Sequence, residues 1–342
     1  MSLSARRLFR LACFAPGLLS GRRGTAGLML TRRCNMDCPY CTIIQRVSQE
    51  TVDPDLPGSR WIAILQALHK LRVRQVVLTG GEPTLHPDVE MIARRASRDM
   101  LVSLISNGRF LFNSNAGTVE LLSHIDLISL SIDAFVDAQG ELLDDDLRAA
   151  GDHLVREGLN KELILTITRQ NLPTLTGIAR RAVALGFSIR LSLVHPGAKQ
   201  HTFRGDATGT FAPGVQDVPA LEALVRTLEE LRKSGAAIAD SSAFLAGLPQ
   251  FAGGNPTVTC PAGLRTMEVN SDGLVQACQD SPASGLTPED LAEMSDPDSL
   301  LQRTIIPGCQ CHYSNYHRLT QGRILWTASR LKALLIGNHP SV

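Results

Sequence analysis

Three cysteines stand within eight residues, as Cys34-Asn-Met-Asp-Cys38-Pro-Tyr-Cys41. Thiolates are the usual ligands of cubane iron–sulfur clusters, and three of them this close in sequence can hold three corners of one cluster. Such a cluster keeps one iron open to another ligand, which implies chemistry at that iron rather than electron carriage alone. Two blander readings start from the same residues. One is half of a zinc site, which takes four Cys or His ligands, often in C-x2-C pairs. The other is a disulfide framework, which suits small secreted domains and not a chain of 342 residues.

Downstream, residues 75–79 read as a strand that runs straight into Gly80-Gly81-Glu82-Pro83-Thr84. Paired glycines permit a close backbone approach to a ligand, and Glu82 offers a carboxylate where an ammonium could dock. Ser106-Asn107-Gly108 closes a strand at 101–105. Along a strand at 126–132, Ser129, Ser131 and Asp133 alternate with apolar residues and share one face. A strand covered on both faces is nearly all apolar, so this row suggests a lined cavity; a tight barrel interior explains Ser129 equally well.

Taken together, Cys34-x3-Cys38-x2-Cys41, Gly-Gly-Glu-Pro, Ser-Asn-Gly and Ser-x-Asp resemble the radical S-adenosylmethionine (SAM) enzymes. The resemblance implies a [4Fe-4S] cluster on Cys34, Cys38 and Cys41 whose open iron is chelated by SAM. Reductive cleavage of SAM would then give a 5′-deoxyadenosyl radical that abstracts hydrogen from substrate. Gly80, Gly81, Glu82, Ser106, Asn107, Ser131 and Asp133 are the SAM contacts that it implies.

The elements that must position these groups alternate short apolar runs with amphipathic stretches, the pattern of βα units. Strands are expected at 28–31, 75–79, 101–105, 126–132, 162–168 and 187–194. The cysteine loop leaves the C-terminal end of the first, where functional loops of βα barrels sit. Its following helix is expected to start on Ser59 as N-cap and to bury Trp61, Ile62, Leu65, Leu68 and Leu71. Further helices are expected at 172–185 and 221–233. The fold class is α/β, a partial (β/α)6 TIM-like barrel open on one side. Between 195 and 219 the periodicity fails, and Lys199, His201 and Arg204 sit in a long loop that could act as a substrate lid.

Cys260, Cys278, Cys309 and Cys311 form a second group, with a β-hairpin expected around Ser271-Asp272-Gly273. This part is similar to the SPASM or twitch extension that follows many radical SAM barrels. The cysteines are too few for the two clusters of a full SPASM domain, so one auxiliary [4Fe-4S] cluster is expected; a zinc site on the same residues stays open, as does His312 in place of one cysteine. The expected division is therefore a basic amphipathic segment at 1–25, the partial barrel at 26–240, a small hairpin and helical auxiliary-cluster domain at 241–316, and an amphipathic helix at 317–342.

A net charge of +1 provides no global attraction to nucleic acid, and none is expected as a partner. Seven of eight cysteines fall in the two groups, which favours metal over disulfides and a reducing, cytoplasmic setting. Arg6-Arg7 precedes a short apolar run, but Arg10 and Pro16-Gly17 break it, so it is read as an amphipathic helix and not an export signal. No run approaches the roughly 20 apolar residues that span a bilayer, while the two basic amphipathic ends permit peripheral membrane contact. A low-potential donor of flavodoxin or ferredoxin type is expected as partner. The expected reaction is a net oxidation or bond-forming modification of a small molecule such as a sugar or aminocyclitol. The double-glycine tail of nucleotide-cyclising relatives is absent from the end at Val342, and about 26 residues before the first strand are too few for a leader-peptide-binding domain. A ribosomal-peptide maturase, a lipid-modifying enzyme and a non-catalytic iron–sulfur scaffold are the alternatives.

Overall fold

The structure is a computed structural model and describes residues 24–41, 54–113, 115–196, 205–206, 209–255, 262–263, 266–279, 281, 283–296 and 311–312. Cys260, Cys309, both amphipathic ends apart from residues 24–25, and the loop residues Lys199, His201 and Arg204 lie outside the described residues. In chain order the elements begin with β1 (Thr25–Met29), α1 (Gly58–Lys70), β2 (Gln75–Thr79), α2 (Val89–Ala96), β3 (Leu101–Ser106), α3 (Ala116–Ser123) and β4 (Leu127–Ser131). They continue with α4 (Asp144–Arg156), β5 (Glu162–Ile167), α5 (Leu172–Ala184), β6 (Ser188–Leu193) and the two-residue strands β7 (His195–Pro196) and β8 (Gly205–Asp206). Helices α6 (Val218–Lys233) and α7 (Ser242–Ala252), strands β9 (Thr266–Val269) and β10 (Val275–Gln276), and helix α8 (Pro288–Glu293) complete the series. The βα alternation is the expected α/β pattern. No helix among the described residues is long and apolar enough to cross a membrane.

Two compact units divide the chain, one of Met1–Ile128, Gln200–Phe203 and Pro261–Gly308, the other of Ser129–Lys199, Arg204–Cys260 and Cys309–Val342. In the first, β1, β2 and β3 are parallel, with Leu28 beside Leu78 and Leu78 beside Leu104. Ala26, Leu28, Val76, Leu78, Val102 and Leu104 are fully buried, as strands covered on both faces require. Helix α1 buries Trp61, Ile64, Leu65 and Leu68, one helical stripe at i, i+3, i+4 and i+7. Trp61, Leu65 and Leu68 are buried as expected, whereas Ile62 and Leu71 are only half-buried and Ile64 joins the stripe. Ser59 is not the cap either. Pro57 takes that position, and the first helical N–H, that of Gly58, donates to Asp88 Oδ2 at 2.8 Å, so a distant carboxylate does the capping. The expected hairpin is present, with β10 antiparallel to β9 and Asn270 Oδ1 accepting from the N–H of Asp272 and Leu274. Its strand β9 lies parallel beside β1, a long-range pairing that no local signal announces.

Helix α1 ends in a Schellman turn, with the Arg72 N–H donating to His69 O and the Val73 N–H to Leu68 O. Arg72 sits there at φ 62°, where α4, α5, α6 and α7 use Gly158, Gly186, Gly235 and Gly254 in the same role. A side chain in the left-handed region costs about 1 kcal/mol. Arg72→Gly is therefore expected to raise the urea midpoint by the equivalent of about 1 kcal/mol; a lower midpoint would show that the arginine side chain contributes more than its backbone costs.

In the second unit β5 lies parallel between the end of β4, with Leu130 beside Leu163, and β6, paired from Glu162 with Ser188 to Ile167 with Leu193. The free edge of β6 is covered by residues 237–240: Ile189 N–H donates to Ala237 O, Ala239 N–H to Ile189 O, and Leu191 N–H to Asp240 Oδ2. Strand β4 stops at Ser131 and residues 132–134 form a 3-10 turn, so Asp133 leaves the alternating row that the sequence suggests. Ser129 follows the interior reading: its hydroxyl donates to Glu162 Oε1 at 2.6 Å and accepts from Arg190 Nη2 at 2.8 Å, all three being buried. Of the expected loop, residues 209–217 are strapped to the end of β5 by Arg169, whose N–H donates to Phe211 O and whose guanidinium reaches Gly209 O, Ala212 O and Asp217 Oδ2.

Candidate functional site

The cysteine loop leaves β1 and is fastened to the end of β2 by backbone hydrogen bonds. Leu30 N–H donates to Thr79 O at 2.9 Å, Gly81 N–H to Thr31 O at 2.8 Å, and Glu82 N–H to Arg33 O at 2.7 Å. Both glycines are required by this contact. A Cβ on Gly80, which has φ +144°, would stand 2.4 Å from Thr31 O, and one on Gly81 would stand 2.2 Å from Arg33 O. The glycine pair thus presses on the base of the cysteine loop, where the sequence suggested only an approach to a ligand.

Glu82 is buried, and its carboxylate gathers the neighbouring loops. Oε1 accepts from the N–H and hydroxyl of Thr84 and from Ser106 Oγ at 2.9 Å, and Oε2 accepts from Asn107 N–H at 2.8 Å. Burial pushes this carboxyl above its ordinary range, and the hydrogen bonds from Thr84, Asn107 and Ser106 oppose the shift. Asn107 Nδ2 in turn donates to Asn35 Oδ1 at 2.7 Å, and Arg109 Nη1 donates to Asn35 O at 2.7 Å. Asn35 and Arg109 were not expected from the sequence. Asn35 is hidden inside the cysteine motif, and its partners lie more than 70 residues away. Gly80, Gly81, Glu82, Ser106 and Asn107 are therefore brought together with Cys34, Cys38 and Cys41 in the first unit, whereas Ser131 and Asp133 belong to the second.

Cys34, Cys38 and Cys41 are half-exposed. The three sulfurs do not all lie within 4.8 Å of one another, a property found among the described residues only for ligand atoms of Glu90, Glu120 and His124, a surface ion-pair cluster. A single tetrahedral zinc at about 2.3 Å per sulfur brings thiolates to about 3.8 Å of each other. Three thiols on one loop, with backbone N–H groups of Met36 and Asn35 turned to the Cys34 sulfur, fit a thiolate-held metal group. Burial pushes the Cys34 thiol up, the Met36 N–H opposes, and the charges of Glu82 and Cys41 add to the rise. The neutral thiol is thus favoured in the fold, and what stability it contributes is lost as pH climbs from 9.0 through the raised folded value. In the metal-free chain, iodoacetamide is expected to alkylate Cys34 more slowly than a solvent-exposed cysteine, with a rate still climbing above pH 9.0, read by peptide mass spectrometry. A rate that levels off at or below that pH would refute the shift.

Of the second cysteine group, Cys278 follows β10 in the first unit and Cys311 lies in the second, both buried. Ser281 shapes the backbone at Cys278, its hydroxyl accepting from Cys278 N–H at 3.1 Å and donating to Cys278 O at 2.9 Å.

The profile of the Radical SAM superfamily matches residues 28–184. A probable GTP 3′,8-cyclase of Halobacterium salinarum is 39% identical over 109 residues, 31% of this chain and 30% of that protein. The PqqA peptide cyclase of Granulibacter bethesdensis is 31% identical over 170 residues, 46% of this chain and 43% of that protein. The chain thus matches less than half the length of these two curated relatives. Among solved structures, SuiB of Streptococcus suis bound to S-adenosylmethionine superposes with a TM-score of 0.58 at 15% identity, over 86% of this chain and 69% of that one. Native anSMEcpe with bound AdoMet gives 0.56 at 15% identity, over 92% and 99%. At such identity these two speak for the fold, an α/β partial barrel. Residues 28–184, which include the cysteine loop fastened to the end of β2, match the Radical SAM superfamily over just under half of the chain.

Proposed function

We propose that this chain cleaves SAM reductively and uses the resulting radical to abstract hydrogen from its substrate, in a net oxidation or bond-forming modification. The observation that carries this reading is the locked cysteine loop: Cys34, Cys38 and Cys41 are displayed on a segment held by Gly81, Glu82, Asn107 and Arg109. A [4Fe-4S] cluster on these thiolates, when bound, supplies the electron that breaks the SAM sulfonium bond. The chain's own contribution is position. Glu82 holds Ser106 and Asn107 at fixed places around the loop, and with Gly80, Gly81, Ser131 and Asp133 these residues would contact SAM. Cys260, Cys278, Cys309 and Cys311 would hold the auxiliary cluster. The electron donor would be a flavodoxin or ferredoxin, and residues 1–25 and 317–342 allow a peripheral membrane contact.

A sugar or aminocyclitol is the substrate class that the auxiliary-cluster resemblance favours. A peptide is the second reading, and the 31% identity to a PqqA peptide cyclase favours it. Anaerobic reconstitution followed by dithionite and SAM tests the core proposal. About eight irons per chain, two cubanes, with 5′-deoxyadenosine formed supports it; iron without SAM cleavage overturns it in favour of a scaffold. Incubation with candidate sugars and peptides, followed by mass spectrometry, separates the two substrate classes.

A further inference from the structure

Within the second unit, Cys311 and His312 occupy a seat of their own. The His312 backbone N–H donates to His195 Nε2 at 2.9 Å, just beyond the end of β6. The His312 imidazole stacks on Phe244, centroids 4.5 Å apart and planes at 11°, with Phe251 at 5.8 Å. Its Nε2 donates to Phe244 O at 2.8 Å. His195 is fully buried and His312 nearly so, and Phe251 packs edge-on against His195 at 5.1 Å. Helix α7 makes room for the ring by carrying Gly247, where a Cβ would stand 2.4 Å from His312 Cε1. A glycine inside a helix costs about 1 kcal/mol relative to alanine, so this one is retained against local preference. The sequence singled out His312 as an alternative metal ligand, yet its Nε2 is spent on the helix backbone.

The geometry points to His195, Phe244 and Gly247 as positioning residues that seat His312 so that its neighbour Cys311 is presented as a metal ligand. This rests on the proposed auxiliary site. His195 acts through the Cys311–His312 backbone and would not touch the metal. A metal site gains affinity when groups behind its ligands hold them in place, and removing such support commonly lowers affinity 10- to 100-fold.

The test uses the full chain reconstituted anaerobically, with iron, zinc and the spectrum of the reduced clusters measured for the wild type, Gly247→Ala, His195→Phe and His195→Gln. In Gly247→Ala the gain in helix preference, about 1 kcal/mol, offsets much of the cost of displacing the His312 ring, so the chain should still fold with a melting temperature near the wild type's, yet it is expected to lose the auxiliary metal, about half the iron of two cubanes. His195→Phe should lose the same share, and His195→Gln, which keeps an acceptor, should recover it. Should the wild type hold about four irons and one zinc, the expected loss in the variants is that zinc. A wild type with about four irons and no zinc overturns the auxiliary site itself. A wild type with both metals loaded, beside Gly247→Ala and His195→Phe variants that keep them with unchanged spectra, overturns the seat alone.

Discussion

Gly81→Ala is expected to abolish iron binding at Cys34, Cys38 and Cys41 while the chain still folds. The added Cβ would stand 2.2 Å from Arg33 O, 2.7 Å from Arg33 C and 2.8 Å from Arg32 O, all backbone atoms that cannot rotate away. Relief requires the loop base to move, which breaks the Gly81–Thr31 and Glu82–Arg33 hydrogen bonds that hold it. Overpacking of this kind costs about 1–3 kcal/mol, a tolerable loss for a domain, but a displacement of the first thiolate is not tolerable for a ligand set. Gly140→Ala is the matched control. Its φ of +79° gives alanine a backbone strain of about 1 kcal/mol, and nothing lies within 4 Å of the new Cβ. Iron analysis and 5′-deoxyadenosine formation after reconstitution should separate the two variants completely. Wild-type iron in Gly81→Ala would mean that the loop base is softer than its hydrogen bonding indicates.

This role for the glycines shows where sequence reading succeeds and where it stops. Strand β2 occupies the expected residues, Gln75 to Thr79, because a short apolar run ending in Gly-Gly is bounded on purely local grounds. The cysteine motif and Glu82 are visible for the same reason: their chemistry is written in consecutive residues. What presses on Gly81 is Arg33, 48 positions earlier, and what holds Asn35 is Asn107 and Arg109. No window of sequence contains both partners. The pairing of β9 with β1 and the capping of α1 by Asp88 were hidden by the same distance. The buried stripe of α1 was misplaced from Ile62 to Ile64 for a different reason. In an apolar helix the periodicity fits more than one face, and only the neighbouring elements choose between them.

Arg190→Met is expected to destabilise the second unit by about 3–5 kcal/mol, while the double change with Glu162→Leu recovers most of that loss. Arg190 Nη2 lies 3.2 Å from Glu162 Oε1, with side chains only 6% and 2% exposed, and Ser129 Oγ bridges them. The three residues come from three neighbouring strands. The register of β5 beside β6 sets Ile164 opposite Arg190, so the guanidinium reaches back toward the start of β5, where Glu162 stands. Removing the arginine alone leaves a carboxylate in a site without solvent, and its only relief is to take up a proton. The single variant should therefore lose stability as pH rises above the ordinary carboxylate range, because the charged form has then lost its ion-pair partner. Replacing both charges by apolar side chains removes that penalty, since burying two ions costs nearly what their attraction returns. Urea unfolding of the two variants across neutral and acidic pH decides the matter. If the double variant is as unstable as the single one, the pair contributes more than mutual neutralisation, and the packing of Ser129 between them would be what the fold depends on.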